Sequence, residues 1–278
     1  VHVCAVGLNF KDLLNVLIPD EAAYVGGKVP LPGADFAGVV TAVPGREGNT
    51  GPISTNDDLA VGDRVFGMNT TGDGMLRSHT VVPRDALARM PRGVTFEEAA
   101  HMPMVFMTVE YALAEQAKLR AGERILINSA AGGVGLAAIQ YAKRVRAEVL
   151  ASASLGKHEY LRSLGVRHIS TSRDSDVFGR EMRGMVGDRG VDVVLNSLTS
   201  GNYVNESAAL LAPGGRFIEI GKRNIWSQER MKELRPDVQY ETYSFNELIP
   251  EKPELLFVML QTLAAQLEVG DVQPLPIE

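Results

Sequence analysis

Between Arg124 and Gly135 the chain reads Arg-Ile-Leu-Ile-Asn-Ser-Ala-Ala-Gly-Gly-Val-Gly, an apolar run that enters a glycine-rich turn and continues with apolar residues at helical spacing. No other feature constrains the fold as strongly. The core Ala130-x-Gly132-x-x-Gly135 suits a strand, turn and helix whose first backbone N–H groups face an anion. Glycine there removes the Cβ that would keep a diphosphate at a distance. Ala131, Gly132, Gly133 and Val134 are thus candidate cofactor-binding residues. Gly135 is expected to let the helix lie close on its strand, burying Val134, Ala137, Ala138, Tyr141 and Val145.

A lone glycine triplet is also what an ordinary tight turn looks like, so its surroundings decide. Downstream, short apolar runs at Arg124–Asn128, Glu148–Ser152, His168–Ser170, Val191–Asn196 and Arg216–Ile220 alternate with helical patterns. Those patterns fall at Val134–Val145, Lys157–Ser163, Phe178–Met185 and Asn202–Leu211. Such alternation predicts a parallel, doubly wound sheet with crossover helices. Upstream the chain is rich in Gly and Pro, with strand-like runs at Phe36–Val43 and Thr80–Val82 and a turn at Ala60–Asp63 feeding another strand. Helical spacing sets in over Glu97–Leu113. The expected organisation is a β-rich lobe over residues 1–103, a nucleotide-binding domain over 104–272, and a return to the first lobe over 273–278.

The second strand of the βαβ series discriminates between cofactors. An NAD site usually ends this strand on Asp or Glu for the ribose hydroxyls. Here it runs into Ala151-Ser-Ala-Ser-Leu-Gly-Lys157, with no acid at its end. Ser152, Ser154 and Lys157 suit a 2′-phosphate, which favours NADPH.

Composition excludes several alternatives. A formal net charge of −6 and the absence of a Lys/Arg block make nucleic acid a poor partner. No stretch approaches the roughly 20 apolar residues of a membrane span, and no signal peptide opens the chain, so a cytoplasmic protein is expected. The single cysteine, Cys4, lies in an apolar run and reads as a buried, inert thiol. With one cysteine and the scattered histidines His2, His79, His101, His158 and His168, no zinc site is expected.

Several phrases together resemble the enoyl reductase domains of modular polyketide synthases and fatty-acid synthases, zinc-independent members of the medium-chain dehydrogenase/reductase superfamily. They are Gly7-Leu-Asn-Phe-Lys-Asp12, Pro32-Gly-Ala-Asp-Phe-Ala-Gly38, Val61-Gly-Asp-Arg-Val65, Met104-Val-Phe-Met-Thr108, the turn Ala130–Gly135, Gly190-Val-Asp-Val-Val-Leu-Asn-Ser-Leu198 and Gly214-Gly-Arg-Phe-Ile-Glu-Ile-Gly-Lys222. The resemblance covers nearly the whole chain. It implies an α/β protein with a GroES-like, β-rich substrate domain and a Rossmann nucleotide-binding domain. It also implies NADPH-dependent reduction of a trans-2,3-enoyl thioester on an acyl carrier protein, hydride going to Cβ and a proton to Cα. The partners implied are that carrier protein and neighbouring synthase domains; oligomeric state is left open.

The same resemblance places Asn9 and Thr108 near the nicotinamide, Arg173 on the 2′-phosphate, and Asn196, Ser197 and Gly221 along the cofactor. Lys222 follows an apolar strand through a glycine and is the first catalytic candidate, as anchor for the thioester carbonyl or as Cα proton donor. Three departures from the family pattern stand out. Ser244 occupies the place where relatives often pair this lysine with an aspartate, with Glu241 and Glu247 as nearby acids. Tyr24 is the nearest match to a proton-donating tyrosine, a few residues late. Both ends of the fold look cut, which suggests a piece of a larger polypeptide. Two other functions fit the motifs: a free-standing quinone or alkenal reductase, and a reductase module that is degenerate or redirected to ring closure.

Overall fold

The computed structural model describes residues 1–17, 31–43, 59–69, 72–243, 248–249 and 252–277. The chain forms two compact units, Val1–Met107 with Asn246–Glu278, and Thr108–Phe245. The return to the first unit thus comes earlier than the expected boundary after residue 272.

The first unit holds a four-stranded antiparallel sheet of β1 (His2–Gly7), β2 (Asp35–Val39), β3 (Arg64–Met68) and β4 (Leu87–Arg89), in that spatial order. Helix α1 (Phe10–Leu17) follows β1, and α2 (Phe96–Ala100) starts from a capping box between Thr95 and Glu98. Phe36, Val40, Val65, Met75 and Leu87 form this unit's buried core. Strand β3 lies so close to the chain entering β4 that a Cβ on Gly67 would run into the Ala86 carbonyl oxygen. Two expectations fail here. Thr80–Val82 is not a strand; the sheet interaction in that region is a bridge from His2 to His79. Cys4 is exposed, because β1 is an edge strand and its alternate side chains point outward.

Residues 97–113 do not make one helix. Pro103, which has no N–H to donate, starts a new helix, α3 (Pro103–Val109), that passes into wide π-helical turns over Glu110–Gln116.

The second unit is the expected parallel sheet. Strands β5 (Arg124–Ile127), β6 (Glu148–Ala153), β7 (His168–Thr171), β8 (Val191–Asn196) and β9 (Leu211–Glu219) alternate with α4 (Gly133–Arg144), α5 (His158–Ser163), α6 (Ser175–Val186) and α7 (Tyr203–Ala209). After α8 (Gln228–Leu234), a sixth strand not read from the sequence, β10 (Gln239–Thr242), pairs with β9. The strand order is β10-β9-β8-β5-β6-β7, all parallel. Leu126, Val194 and Phe217 from the sheet pack with Phe178, Met182, Tyr203 and Val204 from α6 and α7. A last helix, α9 (Pro253–Glu268), belongs to the first unit: Gln261 donates to the Leu87 carbonyl, and Arg84 lies over the Phe257 ring.

Candidate active site

Parallel strands bring all their carboxyl ends to one edge of the sheet, where open α/β folds bind ligands. In the second unit this edge collects the glycine turn after β5, Ser154 and Lys157 after β6, Arg173 after β7, Ser197 after β8 and Lys222 after β9.

The glycine turn contains two kinds of glycine. A Cβ on Gly135 would meet the Ala130 backbone at 2.5 Å, so this glycine is needed for α4 to pack. Gly132, the N-cap of α4, has φ −86° and ψ 170°, and a Cβ there would meet only the Ser129 oxygen at 3.4 Å. The fold itself does not require glycine at 132. Gly132 and Gly133 are exposed, leaving the α4 N-terminus open to an anion. Ser129 sits at φ 54° to bring the chain round. This arrangement fits a dinucleotide.

At the end of β6, Lys157 is exposed in a tight turn over Leu155–Lys157. The buried His158 ring donates from Nε2 to the Ala153 carbonyl, 3.1 Å away, and so ties that turn to the strand. Strand β7 pairs with β6, so the exposed Arg173 lies just beyond the neighbouring strand end. Ser152 does not face this space. It is fully buried, donating to Asn128 Oδ1 at 2.8 Å and accepting from the Ser129 N–H at 3.2 Å. It braces the glycine turn instead.

Asn196 is also buried, with both ends of its carboxamide engaged. Its Oδ1 accepts from Asn128 Nδ2 at 2.8 Å and from the Leu198 N–H at 3.2 Å. Its Nδ2 donates to the Leu198 carbonyl at 3.2 Å and to Glu219 Oε2 at 2.5 Å. Glu219 is 1% exposed, and its Oε1 accepts from the Gly221 N–H at 2.6 Å. Burial raises the Glu219 carboxyl to about 7 against the opposing pull of Asn196, Gly221 and Lys222. Ser197 donates to the Asn128 carbonyl.

Lys222 stands one residue past this glycine. Its ammonium donates to the Tyr243 carbonyl at 2.8 Å and lies over the Tyr243 ring. Tyr243 is buried with its hydroxyl against Thr108, and desolvation raises its pKa. Ser244 and Tyr24 lie outside the described residues.

In the first unit, Asn9 Nδ2 donates to Asp35 Oδ2 at 2.9 Å, and the Met104 N–H reaches the same oxygen at 3.2 Å. Asp35 is fully buried, its Oδ1 has no hydrogen-bond partner, and burial raises its carboxyl to about 7. Asp12 accepts from the Asn9 and Gly33 N–H groups.

Asp35, Asn128 and Glu219 were not singled out in the sequence, although each is a polar residue inside an apolar run. That pattern was their available signal, because buried charges are rare unless paired.

Residues 133–241 match the family described as zinc-binding dehydrogenase. The chain is 41% identical to the pikromycin polyketide synthase component PikAII of Streptomyces venezuelae over an alignment of 281 residues that covers all of this chain and 7% of that relative. Among solved structures it is similar to the CurK enoyl reductase, with 39% identity, a TM-score of 0.88, and coverage of 99% of this chain and 81% of that one. It is similar also to the CurF ER cyclopropanase from the curacin A biosynthetic pathway, at 35% identity, TM-score 0.88 and the same coverage.

Proposed function

The chain belongs to the enoyl reductase domains of the medium-chain dehydrogenase/reductase superfamily, and from that premise we propose that it reduces trans-2,3-enoyl thioesters on an acyl carrier protein with NADPH, as a domain of a polyketide synthase. The observation that carries this reading is the sheet edge that gathers an open, glycine-bounded helix N-terminus and Lys222.

When bound, NADPH supplies the hydride to Cβ. The α4 N-terminus with Ala131, Gly132, Gly133 and Val134 takes the diphosphate, and Ser154, Lys157 and Arg173 take the 2′-phosphate. Thr108, Ser197 and Gly221 border the nicotinamide half, to which the family resemblance also assigns Asn9. Lys222 anchors the thioester carbonyl, where charge grows during conjugate reduction, or delivers the Cα proton. Tyr24 is a further candidate for moving that proton, and Ser244 stands at the position where relatives often carry an acid partner for the lysine. Ser152 and Asn196 support the edge from beneath.

The test is NADPH consumption with a panel of enoyl-pantetheine thioesters, followed by product analysis. Saturated thioesters support the proposal, whereas turnover of quinones or free alkenals alone overturns it. The likeness to a cyclopropanase supports a second reading, ring closure on an activated chain. Cyclised product from a substrate bearing a leaving group would select it.

A further inference from the structure

A continuous line of hydrogen bonds runs across the second unit beneath its carboxyl edge. It starts at the Ser129 N–H in the glycine turn and passes through Ser152, Asn128, Asn196 and Glu219 to the Gly221 N–H. Ser207 also takes a bond from Asn128. Strands β6, β8 and β9 each contribute one side chain to this line, and Asn128, the residue just after β5, contributes the fourth.

Glu219 is where the line meets the turn bearing Lys222. Its two oxygens have different partners, one the Asn196 carboxamide and the other the Gly221 N–H, two residues along the chain. The backbone of the same residue holds the far side of the lysine's surroundings, because the Glu219 carbonyl accepts from the Tyr243 N–H at 3.0 Å. Lys222 in turn reaches the Tyr243 carbonyl. Glu219 thus touches, by side chain, the residue that precedes Lys222 and, by backbone, the residue on which its ammonium rests.

The Asn196 carboxamide cannot turn over to suit a changed partner. Leu198 donates to its oxygen and accepts from its nitrogen, and a flip would oppose donor to donor and acceptor to acceptor. Position 219 therefore has to accept on both sides. An amide there would aim an N–H either at Asn196 Nδ2 or at the Gly221 N–H.

We propose that Glu219 is a positioning residue for the reaction: it holds the Gly221–Lys222 turn so that the lysine ammonium stays where the reacting thioester needs it. The inference rests on the role given above to Lys222.

A four-variant cycle tests it, comparing wild type, Glu219→Gln, Lys222→Ala and the double variant in single-turnover reduction of an enoyl-pantetheine thioester, with melting temperature as a check on folding. Glu219→Gln is expected to slow hydride transfer about tenfold or more, and Lys222→Ala by roughly ten- to a thousandfold. The double variant is expected to match Lys222→Ala within about twofold, because a positioning residue has nothing left to position. A residue that merely stabilises the fold would slow the double variant by the product of the two single effects, which overturns the proposal while the role of Lys222 stands. Lys222→Ala at wild-type rate overturns both. One measurement needs no variant: the Gly221 amide of the intact protein is expected to be strongly protected from hydrogen exchange. Free exchange of that amide overturns the proposal even if Glu219→Gln fails to fold.

Discussion

Two buried carboxyls, both raised to about 7 by desolvation, differ in how they can be altered. Glu219 accepts a donor on each oxygen, whereas Asp35 takes both donors on Oδ2 and leaves Oδ1 without a partner. Asp35→Asn can therefore keep its carbonyl oxygen toward Asn9 and Met104 and place its NH2 at the vacant side, as the protonated acid would. A folded carboxyl that holds its proton up to about 7, against 3.8 when unfolded, favours folding fully below the lower value. That contribution is lost as pH rises through the interval, at about 1.4 kcal/mol for each tenfold difference in proton affinity between the folded and unfolded chain. Wild type is thus expected to lose stability from this group between pH 4 and 7, and Asp35→Asn to flatten the profile and melt no lower at pH 8. Thermal melts across that range check it; a steeper decline in the variant would refute the account.

Among the elements, the glycine turn separates what the fold needs from what a ligand needs. Gly135→Ala must push its Cβ into the Ala130 backbone, a clash at 2.5 Å that is expected to cost about 3 kcal/mol or more. Gly132→Ala has room and ordinary backbone angles, so it should melt like wild type yet bind NADPH at least tenfold more weakly, about 1.4 kcal/mol. Calorimetric titration with melting curves distinguishes the two, and a destabilised Gly132→Ala with unchanged affinity would reverse the assignment. Beyond β6 and β7, Lys157→Ala and Arg173→Ala are expected to weaken NADPH more than NADH, because only NADPH carries the extra phosphate. Equal losses for both cofactors would argue against a phosphate contact. The parallel strands and the glycine turn were legible because apolar periodicity and the close approach at Gly135 both leave marks in local sequence. The roles of Ser152 and Asn196 were not. A serine at a strand end looks the same whether it faces a ligand or an adjacent strand, and its partners, Asn128 and Ser129, lie over twenty residues away. Thr80–Val82 failed for a related reason, since β-branched residues favour strands where their side chains pack on a half-buried face, and Val81 is fully exposed.

At the level of the whole molecule, no three His, Cys, Asp or Glu side chains among the described residues gather as a metal site. Turnover is expected to survive exhaustive chelation, with no stoichiometric zinc by elemental analysis; activity lost to a chelator and restored by zinc would overturn this. No helix among the described residues is long and apolar enough to cross a membrane. The first unit is assembled from two stretches of chain, with the whole second unit lying between them in sequence. During synthesis the second unit emerges as one unbroken piece and can fold as soon as it clears the ribosome. The first is completed only once α9, with Gln261 on the Leu87 carbonyl and Phe257 under Arg84, has been added. At about 5–20 residues per second, the sheet of β1 to β4 waits on the order of ten seconds for that helix. Only the face that α9 covers stays open for that time, since the core of Phe36, Val40, Val65, Met75 and Leu87 comes entirely from the first stretch.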